Sequence, residues 1–235
     1  MAMASSERKE SDQALAALTP AEKRYRWFEC AMLFGALPLI LAFREAGGGI
    51  FLFLWSAAAV CLVMLVRDPT FDRRRLWNVR AVGPELPRIL GLFVVGLLVG
   101  VAVTLWLIPE RFLYLPRERT GLWAAIMLVY PVLSVVPQNV VYRAFVEHRY
   151  RGLFGAGRSG EWWSIGLSAA SFSWAHIVFW NAFALIATLL GGVLFAITYR
   201  RSRSVAAASL EHAMYGCAIF TLGLGWFLYH GVSRG

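Results

Sequence analysis

Seven long apolar stretches, separated by short basic or turn-forming segments, constrain this chain more than any other feature. They are Trp27–Phe43, Ile50–Val66, Ile89–Ile108, Gly121–Pro137, Trp163–Trp180, Ala182–Tyr199 and Val205–Tyr229. A helix needs about 20 apolar residues to cross the hydrocarbon core of a bilayer, and each stretch is near that length. The expected fold is therefore all-α, a polytopic transmembrane helix bundle of seven spans. It becomes eight if the last stretch breaks near Gly216. The composition agrees: hydrophobic residues are 59% and charged residues 16% of 235, where a soluble domain carries about 25% charged residues. Mean hydropathy is +0.59. A large soluble catalytic domain is excluded. So is a nucleic-acid partner, despite a net charge of +9, because the basic residues lie between apolar stretches and not on one polar face.

The basic residues instead read as membrane topology. With the N-terminus inside, only Arg44, Arg111, Arg117, Arg119 and Arg234 of the 23 Lys and Arg residues fall outside. The other 18 lie inside, a positive-inside bias that places the N-terminus in the cytoplasm and the C-terminus outside. Several tryptophans, among them Trp27, Trp106, Trp123, Trp163 and Trp180, fall near span ends as an aromatic belt would. Residues 1–26 are expected to be a polar cytoplasmic tail and 27–235 a single transmembrane helical domain. The tail lacks the apolar core of a cleaved signal peptide, so the first span is expected to act as its own insertion signal. Thr19-Pro20-Ala21-Glu22 is a helix start, with Thr19 as cap and Glu22 closing a capping box. Gly47-Gly48-Gly49 is a turn between the first two spans, and the gap at Asn181 admits only a tight turn. Gly96, Gly100, Gly191 and Gly192 read as close helix packing. Pro38, Pro131 and Pro137 are expected to kink their spans. Cys30, Cys61 and Cys217 sit in apolar runs and read as small buried hydrophobes.

Polar groups inside spans are costly, so they are the functional candidates. Three clusters stand out. Gln138-Asn139 ends the fourth stretch, and Asn139, Arg143 and Glu147 are spaced i, i+4, i+8, one helical stripe on which Arg143 and Glu147 can pair. Phe172 and His176 share one helical face at the end of the fifth stretch, with Asn181 shortly after. Glu211 and His212 enter the seventh stretch side by side, about 100° apart on a helix. If His212 faces an interior site, Glu211 faces elsewhere. Each cluster alone also fits an interfacial or core role. All three are satisfied together if they meet inside the bundle. Such a site can polarise a carbonyl and hold a water, the equipment for peptide-bond hydrolysis within a membrane.

In this order the clusters resemble the three motifs of the CPBP intramembrane protease family, which includes type II CAAX prenyl endopeptidases and bacteriocin-processing or immunity proteins. The family pattern is Glu-Glu-x-x-x-Arg, Phe-x-x-x-His and His-x-x-x-Asn. Here the motifs read Gln138-Asn139-x-x-x-Arg143, Phe172-x-x-x-His176 and His212-x-x-x-Gly216, within a core of about 121–231. The resemblance implies an intramembrane endopeptidase acting on C-terminal regions of membrane-associated proteins or peptides. It implies His176, His212, Asn139, Gln138 and Arg143 as the catalytic set, supported by Phe172, Asn181, Glu211 and Glu147. The expected setting is a bacterial inner membrane, with lipids and a membrane-associated protein or peptide substrate as partners.

The departures define an alternative. Both motif glutamates are amides, and an amide is no general base near neutral pH. Proteolysis then needs a substitute base, for which the sequence offers His176 or His212, with Glu147 and Glu211 as the nearby carboxylates. For zinc or another divalent metal, His176 and His212 are the ligands the sequence offers, and two histidines without a carboxylate are a thin set. The alternative is a catalytically inactive relative that binds a membrane partner or confers bacteriocin immunity. A small transporter has less support, since the chain shows no repeated halves.

Overall fold

The computed structural model describes residues 18–43 and 49–229, all of them helix or connection, with no strand among them. Most of the expected tail, Gly47 and Gly48 of the expected turn, and the termini carrying Arg8, Lys9 and Arg234 lie outside the described residues, as does Arg44. Seven long helices follow one another: α1 (Pro20–Phe43), α2 (Gly49–Arg67), α3 (Val82–Leu107), α4 (Thr120–Leu153), α5 (Arg158–Ala175), α6 (Ala182–Ser202) and α7 (Val205–Leu222). Six are long and apolar enough to cross a membrane. The exception is α5, which has the length but carries Arg158, Glu161 and a run of serines. The seven expected stretches thus form seven helices, six of which meet the criterion for a span. The protein is an integral membrane protein.

Local sequence explains the helix ends. Thr19 caps α1: its hydroxyl accepts from the Glu22 backbone and Glu22 returns a bond to the Thr19 amide at 2.8 Å, the capping box the sequence predicts. Asn181 caps α6 by accepting from Ala184 N at 2.8 Å. Ser204 caps α7. The last helix does not break at Gly216. It runs through to Leu222 and turns at Gly223 (φ +99°), and among the described residues only the short helix Trp226–Tyr229 follows, too short for an eighth span. The fourth helix differs most from expectation. Hydropathy ends it near Pro137, but the helix continues to Leu153 because its polar residues are buried against neighbours and not exposed to solvent.

Prolines shape α4 through its hydrogen-bond register. Pro131 has no N–H to donate, and a wide i→i+5 turn occupies Pro131–Val135. A second wide turn occupies Val140–Phe145. They flank the four-residue segment that carries Gln138 and Asn139. Such turns occur within helices mostly as local insertions.

The best-buried span is α7 and the least buried is α3. Leu98, Val95 and Trp106 of α3 are exposed, as expected for a face turned to lipid. Close packing of α3 on α7 depends on Gly96, where a Cβ would fall 2.5 Å from the Tyr215 ring. Likewise Gly192 lets α6 lie against Ala169 of α5. Phe34, Cys61, Leu65, Phe145, Tyr150, Tyr199 and Val205 form one buried apolar cluster shared by α1, α2, α4, α6 and α7. Arg149 holds Glu29 of α1 through two 2.9 Å bonds, with Tyr150 donating to the same carboxylate at 2.8 Å. Further along α1 the indoles of Trp174 and Trp180 donate to Gly35 O and Ala42 O.

Candidate active site

The polar residues of α4, α5 and α7 meet in the bundle interior. Asn139 is 1% exposed. Its Nδ2 donates to Val135 O at 3.0 Å and lies 3.2 Å from Nδ1 of His212. A carbonyl only accepts, so the first bond fixes which side-chain atom of Asn139 is nitrogen, and that nitrogen then donates to His212. His212 Nδ1 is therefore unprotonated and Nε2 carries the proton. Nε2 lies 3.4 Å from the hydroxyl of Tyr130. The His212 ring stacks on Phe195 at 4.5 Å and 15°.

His176 is in the opposite tautomer. It follows α5 in a 3-10 turn over His176–Phe179, and its Nδ1 is 2.7 Å from Phe172 O. That carbonyl requires Nδ1–H, which leaves the Nε2 lone pair free. The i, i+4 face predicted for this motif is observed: the Phe172 and His176 rings are 4.7 Å apart. Phe172 also meets His212 edge-on at 5.3 Å, so one buried ring packs on both imidazoles.

Arg143 is also 1% exposed. Its Nη1 donates to Ser168 Oγ at 2.5 Å, and Ser168 passes a bond on to Tyr142 O at 2.7 Å. The guanidinium lies 4.9 Å from the Phe172 ring centre, a cation–π contact. No carboxylate lies within ion-pair distance of Arg143 among the described residues. Its Nε and Nη2, together with Asn139 Oδ1 and Gln138 Oε1, are buried without hydrogen-bond partners. Gln138 is otherwise held by its Nε2 bond to Ser134 at 2.8 Å. The first motif thus presents two acceptor oxygens and two donor nitrogens without partners among the described residues, and buried polar groups in that state call for an explanation.

Several expected partners separate. Arg143 and Glu147 do not pair. The wide turn at Val140–Phe145 adds a residue to the register and swings Glu147 away, towards Arg200 at 3.1 Å, which also holds Glu161 at 3.0 Å. Arg143 itself, counted by sequence with the cytoplasmic arginines, is inside the bundle. Glu211 is 0% exposed and faces away from His212, as its neighbouring position predicts. It accepts from Thr198 and lies 3.6 Å from Arg88, which joins Glu85 at 3.0 Å. Asn181 sits at the start of α6 and spends its amide on Phe179 O and Phe227 O. Glu147, Glu211 and Asn181 therefore tie helices together and do not reach the two histidines.

Ser168, Tyr130 and Phe195 belong to the cluster but were not singled out from sequence. The signal for Ser168 was present, since Ser164, Ser168 and Ser171 recur at helical spacing in a candidate span. Tyr130 reads as one aromatic among many.

The donor set does not fit a catalytic divalent metal. Among the described residues no group of three His, Cys, Asp or Glu side chains could hold one. Both His212 nitrogens are engaged, and the nearest carboxylates are tied to Arg200 and Arg88.

Residues 119–218, somewhat under half the chain, match the family model for type II CAAX prenyl endopeptidases, Rce1-like. That segment holds every residue of the cluster, and the match agrees with the resemblance of the three motifs to the CPBP/CAAX protease family. No curated protein and no solved structure matches the chain significantly.

Proposed function

We propose, from the premise of a type II CAAX endopeptidase-like segment, that the chain is an intramembrane endopeptidase that hydrolyses a peptide bond in the C-terminal region of a membrane-associated protein or peptide. The observation that carries this reading is the opposed tautomer pair. His176 offers an unprotonated Nε2 while His212 keeps its proton on Nε2, held by Tyr130, and both pack on Phe172. His176 is the general base: its Nε2 takes a proton from water as the water oxygen bonds to the scissile carbonyl carbon. The carbonyl oxygen becomes an oxyanion, and the free N–H groups of Arg143 are its donors. The proton held on His176 passes to the amide nitrogen as the carbon–nitrogen bond breaks. The free oxygens of Asn139 and Gln138 accept from the substrate N–H or the water. The setting is a plasma membrane with the N-terminus cytoplasmic.

The test compares protein termini by mass spectrometry in cells carrying the given chain, His176→Ala, His212→Ala or Asn139→Glu. Loss of a general base lowers rate by about 10²–10⁴-fold, so the product terminus disappears with His176→Ala. A terminus unchanged in both alanine variants rules the reading out. The amides favour a second reading, an inactive scaffold that binds a membrane partner. A terminus that arises only with Asn139→Glu supports it.

A further inference from the structure

Gly216 stands where the third motif has asparagine, and the structure gives a reason. A Cβ at Gly216 would lie 2.4 Å from both Cε1 and the hydroxyl oxygen of Tyr130, and 2.6 Å from Cζ. The Tyr130 ring occupies the volume of the missing side chain. That ring is fixed from two sides, by Phe220 at 5.4 Å and His212 at 6.4 Å, both edge-on. Tyr130 comes immediately before Pro131, where the first wide turn of α4 begins, so its direction is set by the same register change that sets Asn139.

The polar consequence follows from the His212 tautomer. Asn139 donates to Nδ1, so Nε2 holds the proton, and its partner must accept. The Tyr130 oxygen, 3.4 Å away, is that acceptor. An asparagine one turn beyond His212 would offer a polar group to the same imidazole. Glycine offers none, but the phenol reaches in from α4 to do so.

We propose that Tyr130 is a positioning residue that replaces the third-motif asparagine, its hydroxyl holding His212 in the Nε2–H tautomer, and that Gly216 is required by its ring. The two positions are one compensated exchange between α4 and α7. The role given to His212 rests on the endopeptidase reading, while the Tyr130–Gly216 coupling does not.

The experiment uses the full chain in detergent with ¹⁵N-labelled histidine, the His212 signals being those lost in His212→Ala. In the given chain His212 shows an unprotonated Nδ1 and a protonated Nε2. Tyr130→Phe keeps the ring and the fold but moves the His212 Nε2 signal, because the proton there loses its acceptor while Asn139 still donates to Nδ1. Gly216→Asn lowers the thermal midpoint, and the double variant Tyr130→Ala with Gly216→Asn restores both the midpoint and the Nε2–H signal. Unmoved His212 signals in Tyr130→Phe overturn the proposal, as does a Gly216→Asn chain as stable as the original. If Tyr130→Phe shifts His212 while no variant ever yields a new terminus, the endopeptidase reading fails and the positioning role stands.

Discussion

At the scale of single residues, the site depends on what an amide can and cannot do. Asn139 donates to His212, whereas a carboxylate at that position only accepts. Asn139→Asp is therefore expected to move the His212 proton to Nδ1, visible as exchanged ¹⁵N shifts of the two ring nitrogens. An unchanged spectrum contradicts the tautomer assignment. Arg143 depends on Ser168 for its one side-chain hydrogen bond among the described residues. Ser168→Ala is expected to cost about 1.5–3 kcal/mol, the range for hydrogen bonds to charged groups, measured as a shift in denaturant midpoint in detergent. The residues with chemistry were legible in the sequence because a His, Arg or Asn inside an apolar run has few ordinary explanations. Tyr130 was not, because a tyrosine in such a run has many. Its meaning lies in a contact 86 residues along the chain, with the missing Cβ of Gly216.

At the scale of elements, apolar length located all seven helices but misplaced several ends, with α3 starting early at Val82 and α7 stopping early at Leu222 as well as the shifts in α4 and α5. The α4 helix runs past Pro137 because its later polar residues find partners on other helices. The α5 helix starts at Arg158, ahead of its apolar stretch, and Gly160 in its first turn packs against the Phe154 and Gly155 carbonyls. Single-sequence hydropathy scores each residue against water or lipid and has no knowledge of a neighbouring helix. The clamp joining α3, α6 and α7 through Arg88, Thr198 and Glu211 shows what that omits. Arg88→Ala leaves Glu211 buried and poorly paired, at an expected cost of about 3–5 kcal/mol. Arg88→Met with Glu211→Leu is expected to be near neutral. A double variant as unstable as the single one overturns that account.

The connection after α2 makes a separate prediction. Burial pushes the Asp68 carboxyl up, but hydrogen bonds from Thr70 and His148 outweigh this and hold it at about 2. A carboxyl held below its unfolded value near 3.8 adds stability above that pH and loses it as pH falls towards 2. Asp68→Asn should flatten the loss of thermal stability between about pH 4 and pH 2, as read by circular dichroism.

At the scale of the whole molecule, the charge distribution predicts orientation. Single cysteines at Arg74 and Arg201 should label from the cytoplasmic side of sealed vesicles, and one at Glu118 from the other side. The reverse pattern inverts the topology. The buried, unpaired guanidinium of Arg143 then has a consequence of a different kind. A unit charge carried fully across a bilayer changes energy by about 2.3 kcal/mol per 100 mV, and a charge fixed part-way feels a fraction of that. If the labelling gives the predicted orientation, a membrane with a negative interior would draw Arg143 towards the cytoplasmic end of α4. In that orientation Arg143 makes the bundle a carrier of one fixed charge within the field, so its energy would depend on the membrane potential.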